Sequence, residues 1–341
     1  MKLISFGIPS YNSQDYLHKC VDSILVGGDD VEIIIVNDGS TDNTSKIGHE
    51  YAEKYPNIVK IIDKPNGGHG SGVNAGLKAA TGLYYKVVDS DDWVDEGALK
   101  KILQTIKEHQ AANTLPDLYI ANFVYEKVYI NERHVSSYEK KMPVEKFTTW
   151  EKVKSFHGAH MLLMHALMYK REKLLDSNTV LPEHTFYVDN VFAYKPLPYM
   201  KSIYYINEDF YRYFIGRPDQ SVTINNMVKR YDQQIRCMYC LVDSYYWDEI
   251  KKMPKGLKKY MWHALNAIMM NTLMFACAAD APERRQAIKD LWKHIKERDI
   301  KLYRRYKWRS FSTLVNWMPW KMRGKVLVWG YNVLCKIIKL G

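Results

Sequence analysis

Through the first third of the chain, short and largely apolar runs alternate with polar punctuation. Leu3 to Ile8, Val31 to Val36, Val59 to Ile62 and Tyr84 to Val88 are such runs. They read as strands, and Leu3 to Ile8 and Tyr84 to Val88 as buried ones, because strands of a covered parallel sheet are continuously apolar. Between and after them, apolar positions recur at helical spacing: Tyr16, Leu17, Cys20 and Ile24, then Ile47, Tyr51 and Tyr55, then Val73, Leu77 and Ala80, then Leu99, Ile102 and Ile106. Thr41 or Asp42 can cap the second helix. Strictly alternating strands and helices predict an α/β fold with a mainly parallel sheet and right-handed crossovers. The loops that leave these strands then gather along one sheet edge, where such folds bind ligands.

Further on, Leu118 to Ile130 and His165 to Lys170 read as strands, with shorter ones at Ser202 to Ile206 and Phe210 to Phe214. From about Asn226 the pattern turns helical, with helices expected over 227–250, 256–279 and 282–297. We therefore expect an α/β region of residues 1–222 followed by a helical region of residues 223–341.

Charge changes this picture at one end. The net charge is +11, and residues 298–341 hold eleven Lys/Arg against the single acid Asp299. Trp308, Trp317, Trp320 and Trp329 are interspersed among these cations. The mixture suits an anionic membrane surface. A packed helix and a nucleic-acid contact are the competing readings, and the membrane is the expectation. No window reaches the ~18 apolar residues of a spanning helix, and Leu3 to Ile8 is too short for a signal peptide. Five scattered cysteines indicate a reducing compartment. Cys237 and Cys240 form a lone CxxC with no second pair. The expected location is the cytoplasm, peripheral on the inner face of the cell membrane.

The candidate chemistry sits at strand ends. Val88-Asp89-Ser90-Asp91-Asp92-Trp93 places three carboxylates within four residues. Crowded carboxylates repel unless water or a cation intervenes. Their hard oxygens suit Mg²⁺ or Mn²⁺ shared with a substrate's phosphates. Asp38 reads as a turn acid before Gly39 or as a ligand contact, and His69 as a loop residue or a phosphate contact. Asp189 lies among Phe186, Val188, Val191 and Phe192. It reads as a helix cap or as a partly desolvated general base. Arg217 and Ser221 occupy a loop suited to closing over a diphosphate. His157, His160 and His165 are core, surface or acceptor-lining positions. Gly70-Ser71-Gly72-Val73-Asn74-Ala75 fits a dinucleotide fingerprint with Asp89 about twenty residues on. A loop from Asp63 to His69 separates those glycines from their strand, however, and three acids stand where that reading needs one.

Four motifs in order carry a family resemblance: Ile8-Pro9-Ser10-Tyr11-Asn12, Ile35-Val36-Asn37-Asp38-Gly39-Ser40-Thr41-Asp42, Asn66-Gly67-Gly68 with Asn74-Ala75-Gly76, and Val88 to Trp93. Over roughly residues 1–222 the chain resembles the family 2 glycosyltransferases. The resemblance implies a GT-A fold and inverting transfer from a nucleotide-diphosphate sugar, most commonly a UDP-sugar, with Mn²⁺ or Mg²⁺. It implies that Pro9 and Tyr11 line the nucleotide pocket, that Asp38 bonds the base and that Asn74 lies near the nucleoside. Asp89 and Asp91 form its DxD element. Asp91 and Asp92 are the metal-ligand candidates, one holding the ion while the other meets the ribose. Asp189 resembles the catalytic base, although Val188 stands where the family motif has Glu, and Glu183 is the reserve. The acceptor expected beside a membrane tail is a saccharide or a lipid-linked glycan.

Overall fold

The computed structural model describes residues 1–216 and 224–337. The chain divides into two compact units. The first comprises residues 1–154, 162–184 and 196–216. The second takes 155–161, 185–195 and, among the described residues, 224–337.

The first unit is built on ten strands: β1 (Ile4–Ser10), β2 (Val31–Asn37), β3 (Val59–Asp63), β4 (Tyr84–Val87), β5 (Trp93–Val94), β6 (Leu118–Lys127), β7 (Glu132–Ser136), β8 (Phe147–Thr149), β9 (Leu167–Lys170) and β10 (Ser202–Phe214). They form one sheet in the order β3-β2-β1-β4-β9-β6-β10-β5, with β7 on β6 and β8 on β10. The leading strands pair in parallel, β9 runs antiparallel between β4 and β6, and β10 returns to parallel against β6. The helices are α1 (Leu17–Leu25), α2 (Thr44–Lys54), α3 (His69–Ala79), α4 (Glu96–Ala111) and α5 (Arg171–Asp176). The apolar runs of β1 and β2 are buried throughout, as continuous hydrophobic strands require.

Two expectations change in detail. Met164–Ala166 is a 3-10 turn, so the strand starts at Leu167. The carbonyls of Met164 and His165 accept from Lys86 instead of from a strand neighbour. The two short strands expected at 202–214 are one, β10, whose pairing with β6 shifts register between Ile206 and Tyr211.

The second unit holds α6 (Asp189–Tyr194), α7 (Ile224–Lys229), α8 (Tyr231–Ser244), α9 (Trp247–Lys252), α10 (Lys255–Cys277), α11 (Pro282–Arg298), α12 (Ile300–Arg309), α13 (Phe311–Trp317) and α14 (Trp320–Ile337). The single helix expected over 227–250 is three. Tyr246 adopts an extended conformation, and its amide donates to the Glu249 carboxylate at 2.6 Å to open α9, which breaks the run. The basic tail splits between two of its readings. Leu302, Tyr306 and Leu327 are buried, and the Tyr306 hydroxyl donates to the Leu265 carbonyl at 3.0 Å. Trp308, Trp317 and Trp329 stay 65%, 75% and 68% exposed. No helix among the described residues is long and apolar enough to cross a membrane. The loop residues Arg217 and Ser221, and residues 338–341 of the tail, lie outside the described residues.

Candidate active site

The site is built where β1, β2 and β4 end. Lys86, fully buried in β4, donates to the backbone of Met164 and His165 and lies 4.8 Å from the Tyr211 ring centre. Burial drives its pKa down to about 7, against the pull of Asp89 and Asp92. Just beyond it, the acids are sorted by their partners. Asp92 is 1% exposed. Its two oxygens accept from the Tyr211 hydroxyl at 2.5 Å and the Phe214 amide at 2.8 Å. Burial, with the charges of Asp91 and Asp89, pushes its carboxyl well above the usual range despite those bonds. Asp89 meets the His69 ring at 2.7 Å. Burial alone would raise its carboxyl, but the His69 imidazole, aided by His165 and Lys86, holds it below the usual range.

His165 completes the tip. It is buried, stacks on Tyr211 at 4.5 Å, and burial lowers its pKa to about 4, so the ring is neutral at pH 7. Its Nδ1 is buried with no hydrogen-bond partner among the described residues. A ligand atom from each of Asp89, Asp92 and His165 falls within 4.8 Å of the others. Two carboxyl groups and a neutral imidazole whose Nδ1 is orphaned fit a divalent cation. The imidazole moves the set away from the all-oxygen shell that Mg²⁺ favours. The sequence points to Asp91 and Asp92 as metal ligands. The described geometry groups Asp92 with Asp89 and His165, and Asp91 stands half-buried outside that group.

The neighbouring loops are laced to this tip. Ser13 bonds Ser90 side chain to side chain at 2.7 Å, and its amide donates to Thr44 at 2.7 Å. Asn12 exchanges bonds with Ser40 and Thr41. Pro9 is buried against Gly72 of α3, where an added Cβ would come within 2.7 Å of the Pro9 Cβ. Tyr11 is 54% exposed beside it in sequence, free to meet a ligand face. Asp38 is 3% exposed and organises the next loop. One of its oxygens accepts from the Gly67 amide at 2.9 Å and Lys64 at 2.6 Å, and the other from the Gly68 amide at 2.7 Å. Gly39, at φ +75, must be glycine, since a Cβ there would sit 2.8 Å from the Asn66 nitrogen. Asn74 bonds both backbone groups of Leu181, at 2.9 and 3.0 Å, and Ser71 donates to Glu183 at 3.1 Å. The geometry thus gives Asp38 and Asn74 firm structural work. Gly70 and Gly72 lie inside α3, packed on Pro182 and Pro9, and do not form a phosphate-binding turn. The dinucleotide reading therefore fails.

Asp189 belongs to the second unit, half-buried as the first residue of α6, with Val188 as the N-cap. It does not cap the helix itself. The Asn190 side-chain amide donates to the Tyr187 carbonyl at 3.0 Å, and Tyr187 has φ +66. His160 accepts from His263 through its carbonyl at 3.1 Å, a structural contact. Cys237 and Cys240 are free thiols whose pKa values burial raises, which disfavours redox or metal chemistry. Sequence reasoning left His165 undecided and passed over Lys86 and Tyr211. A lysine inside an apolar strand three residues before an acid cluster was the available signal.

A mostly parallel sheet flanked by helices, with an acid cluster tied to its strand-end loops, is an arrangement of the GT-A type. The comparison with solved structures agrees. The fold is similar to that of Staphylococcus aureus TarS residues 1–349 in complex with UDP-GlcNAc, with a TM-score of 0.62 and 19% identity over 87% of this chain and 82% of that one. Residues 5–174 match the family described as Glycosyl transferase family 2. An uncharacterized glycosyltransferase of Mycoplasma pneumoniae, the MG025 homolog, is 32% identical over 224 residues, covering 64% of this chain and 69% of that protein. The minor teichoic acid biosynthesis protein GgaB of Bacillus subtilis is 41% identical over 106 residues, which is 30% of this chain and 12% of GgaB. The chain belongs to glycosyl transferase family 2.

Proposed function

We propose that this glycosyltransferase moves a sugar from a UDP-sugar to an acceptor hydroxyl with inversion, in the synthesis of a surface polysaccharide or glycolipid. The observation that carries the reading is the buried acid tip, tied through Ser90 and Ser13 to the loop after β1 and to Thr44 of α2, and through Asp92 to β10. A bound Mn²⁺ or Mg²⁺ would offset the negative charge that develops on the departing diphosphate. Asp89, Asp91, Asp92 and His165 are the residues that would hold it. Pro9 and Tyr11 would line the nucleoside pocket, with Asp38 and Asn74 fixing its walls as well as meeting the base and ribose. Tyr211 and Phe214 hold Asp92 in place, so the tip needs little rearrangement when a donor binds.

Asp189 is proposed as the base that takes the acceptor's proton as it attacks C1 from the face opposite the diphosphate. One base and one displacement suffice, and the anomeric configuration inverts. The acceptor is a saccharide or lipid-linked chain. GgaB, by its name, acts in teichoic acid synthesis, and the exposed tryptophans among the basic tail residues 298–341 suit an anionic membrane face. A thermal-shift panel of nucleotide sugars with and without Mn²⁺ tests the reading. Stabilisation by one UDP-sugar that requires the metal supports it. Stabilisation by NADH alone, or by no nucleotide sugar at all, would refute it.

A further inference from the structure

We propose that the second unit carries a site for the phosphate of an anionic lipid headgroup, in a cavity of about 570 Å³ lined by α11, α12, α13 and α14. Four cations line this cavity, Arg285, Lys289, Lys307 and Arg323, and no carboxylate does. Two of the four are occupied. Arg285 pairs with Asp280, and Arg323 donates to the carbonyls of Met318 and Asn316. Lys289 and Lys307 have no carboxylate partner among the described residues, and Lys307 lies 5.1 Å from the ring centre of the exposed Trp308, a contact that leaves its N–H groups open to an anion.

Two residues that line the cavity also carry unsatisfied donors. The indole Nε1 atoms of Trp292 and Trp320, both lining residues, are buried without a hydrogen-bond partner among the described residues. A buried donor left unmade is costly, and a ligand oxygen removes that cost. A phosphodiester offers several acceptor oxygens and one negative charge, which suits two ammonium groups that lack a carboxylate partner, with the indole N–H groups as further donors if the rings turn toward it. The surroundings select the source of the phosphate. Trp317 is a lining residue and 75% exposed. Leu314, Met322 and Trp329, on the same two helices α13 and α14, are also more than half exposed. Indoles prefer the headgroup level of a bilayer, and exposed aliphatic side chains favour its acyl boundary over a nucleic acid or a free anion.

This site rests on the membrane attachment proposed above, and the test separates the two. The 341-residue chain is floated with phosphatidylglycerol vesicles and with phosphatidylcholine vesicles. Lys289→Glu with Lys307→Glu should weaken binding to the anionic vesicles by at least about tenfold. The matched reversal Lys293→Glu with Lys296→Glu, on α11 but outside the cavity, should weaken it by less than about threefold. Equal losses in both pairs would overturn the site and leave a diffuse surface field. Absence of the parent chain from the anionic vesicles would remove the membrane attachment itself, and the site with it. Soluble glycerol phosphate quenching the indole fluorescence, with no vesicle binding, would overturn the lipid source.

Discussion

The two units treat charge in opposite ways. In the sheet unit the acids Glu32, Asp38 and Asp92 are 2%, 3% and 1% exposed, and each is held by several hydrogen bonds. In the helical unit the excess is cationic and most of it lies outward, among tryptophans that are more than half exposed, while the buried Asp299 is held by three backbone amides. A buried carboxylate that is fully bonded fixes the spacing of the loops that bond it. An exposed cation adds little to the stability of the fold that carries it. Removing one charged side chain should therefore destabilise the first unit more than the second.

Asp189 is the exception that can break this division, since it sits in the helical unit and is assigned chemistry. Replacing it by Asn should lower kcat by roughly 10²–10⁴ while donor KM and melting temperature stay near the parent values. Donor turnover, followed as UDP release, measures it. A fall below about tenfold would confine chemistry to the sheet unit and move the test to Glu183→Gln. The metal assignment sharpens the comparison from the other side. His165→Ala should raise the Mn²⁺ concentration for half-maximal activity by about 10–100-fold, with Asp91→Asn well below that. The reverse ranking would restore the Asp91–Asp92 pair as the ligands.

Much of the sheet unit was legible because its signals are local. Apolar runs locate β1, β2 and β4, and helical spacing locates α1 to α4. The acid tip was legible as a cluster of like charges that folding alone does not require. The partners were not legible. Tyr211 and Phe214 reach Asp92 from more than a hundred residues away, and His165 arrives through β9. Asp38 and Asn74 showed the same limit, since their bonds to Gly67, Gly68 and Leu181 are loop contacts without periodicity. The tail divided because its pattern served both burial and exposure: Tyr306 packs while Trp308, two residues on, does not.

Removal of one buried acid should cost stability where removal of one exposed cation does not. Asp38→Ala leaves the Gly67 and Gly68 amides and Lys64 without their acceptor, a loss of about 2–4 kcal/mol. Lys307→Ala in the helical unit should stay within about 0.5 kcal/mol. Urea melts of the two variants measure the contrast. Comparable losses would mean that the exposed cations are also structural.

The smallest expected effect is a pH dependence carried by Glu32. Burial favours its neutral form, but Lys60, Ser5 and Thr81 bond the carboxylate and together hold its pKa below the usual range. The unfolded chain then binds the proton more readily than the folded one, so stability rises with pH through this window. The contribution is full above the unfolded value of about 4.3 and disappears as pH falls through the lower folded one. Glu32→Gln should flatten the acid limb of the melting temperature by a few degrees and leave it unchanged in slope above pH 6. Lys289 of the helical unit is exposed and makes no such bonds among the described residues, so Lys289→Gln should leave the acid limb as it is. If the two substitutions flatten it equally, acid sensitivity comes from overall repulsion among cations, and the buried carboxylates of the sheet unit are not its source.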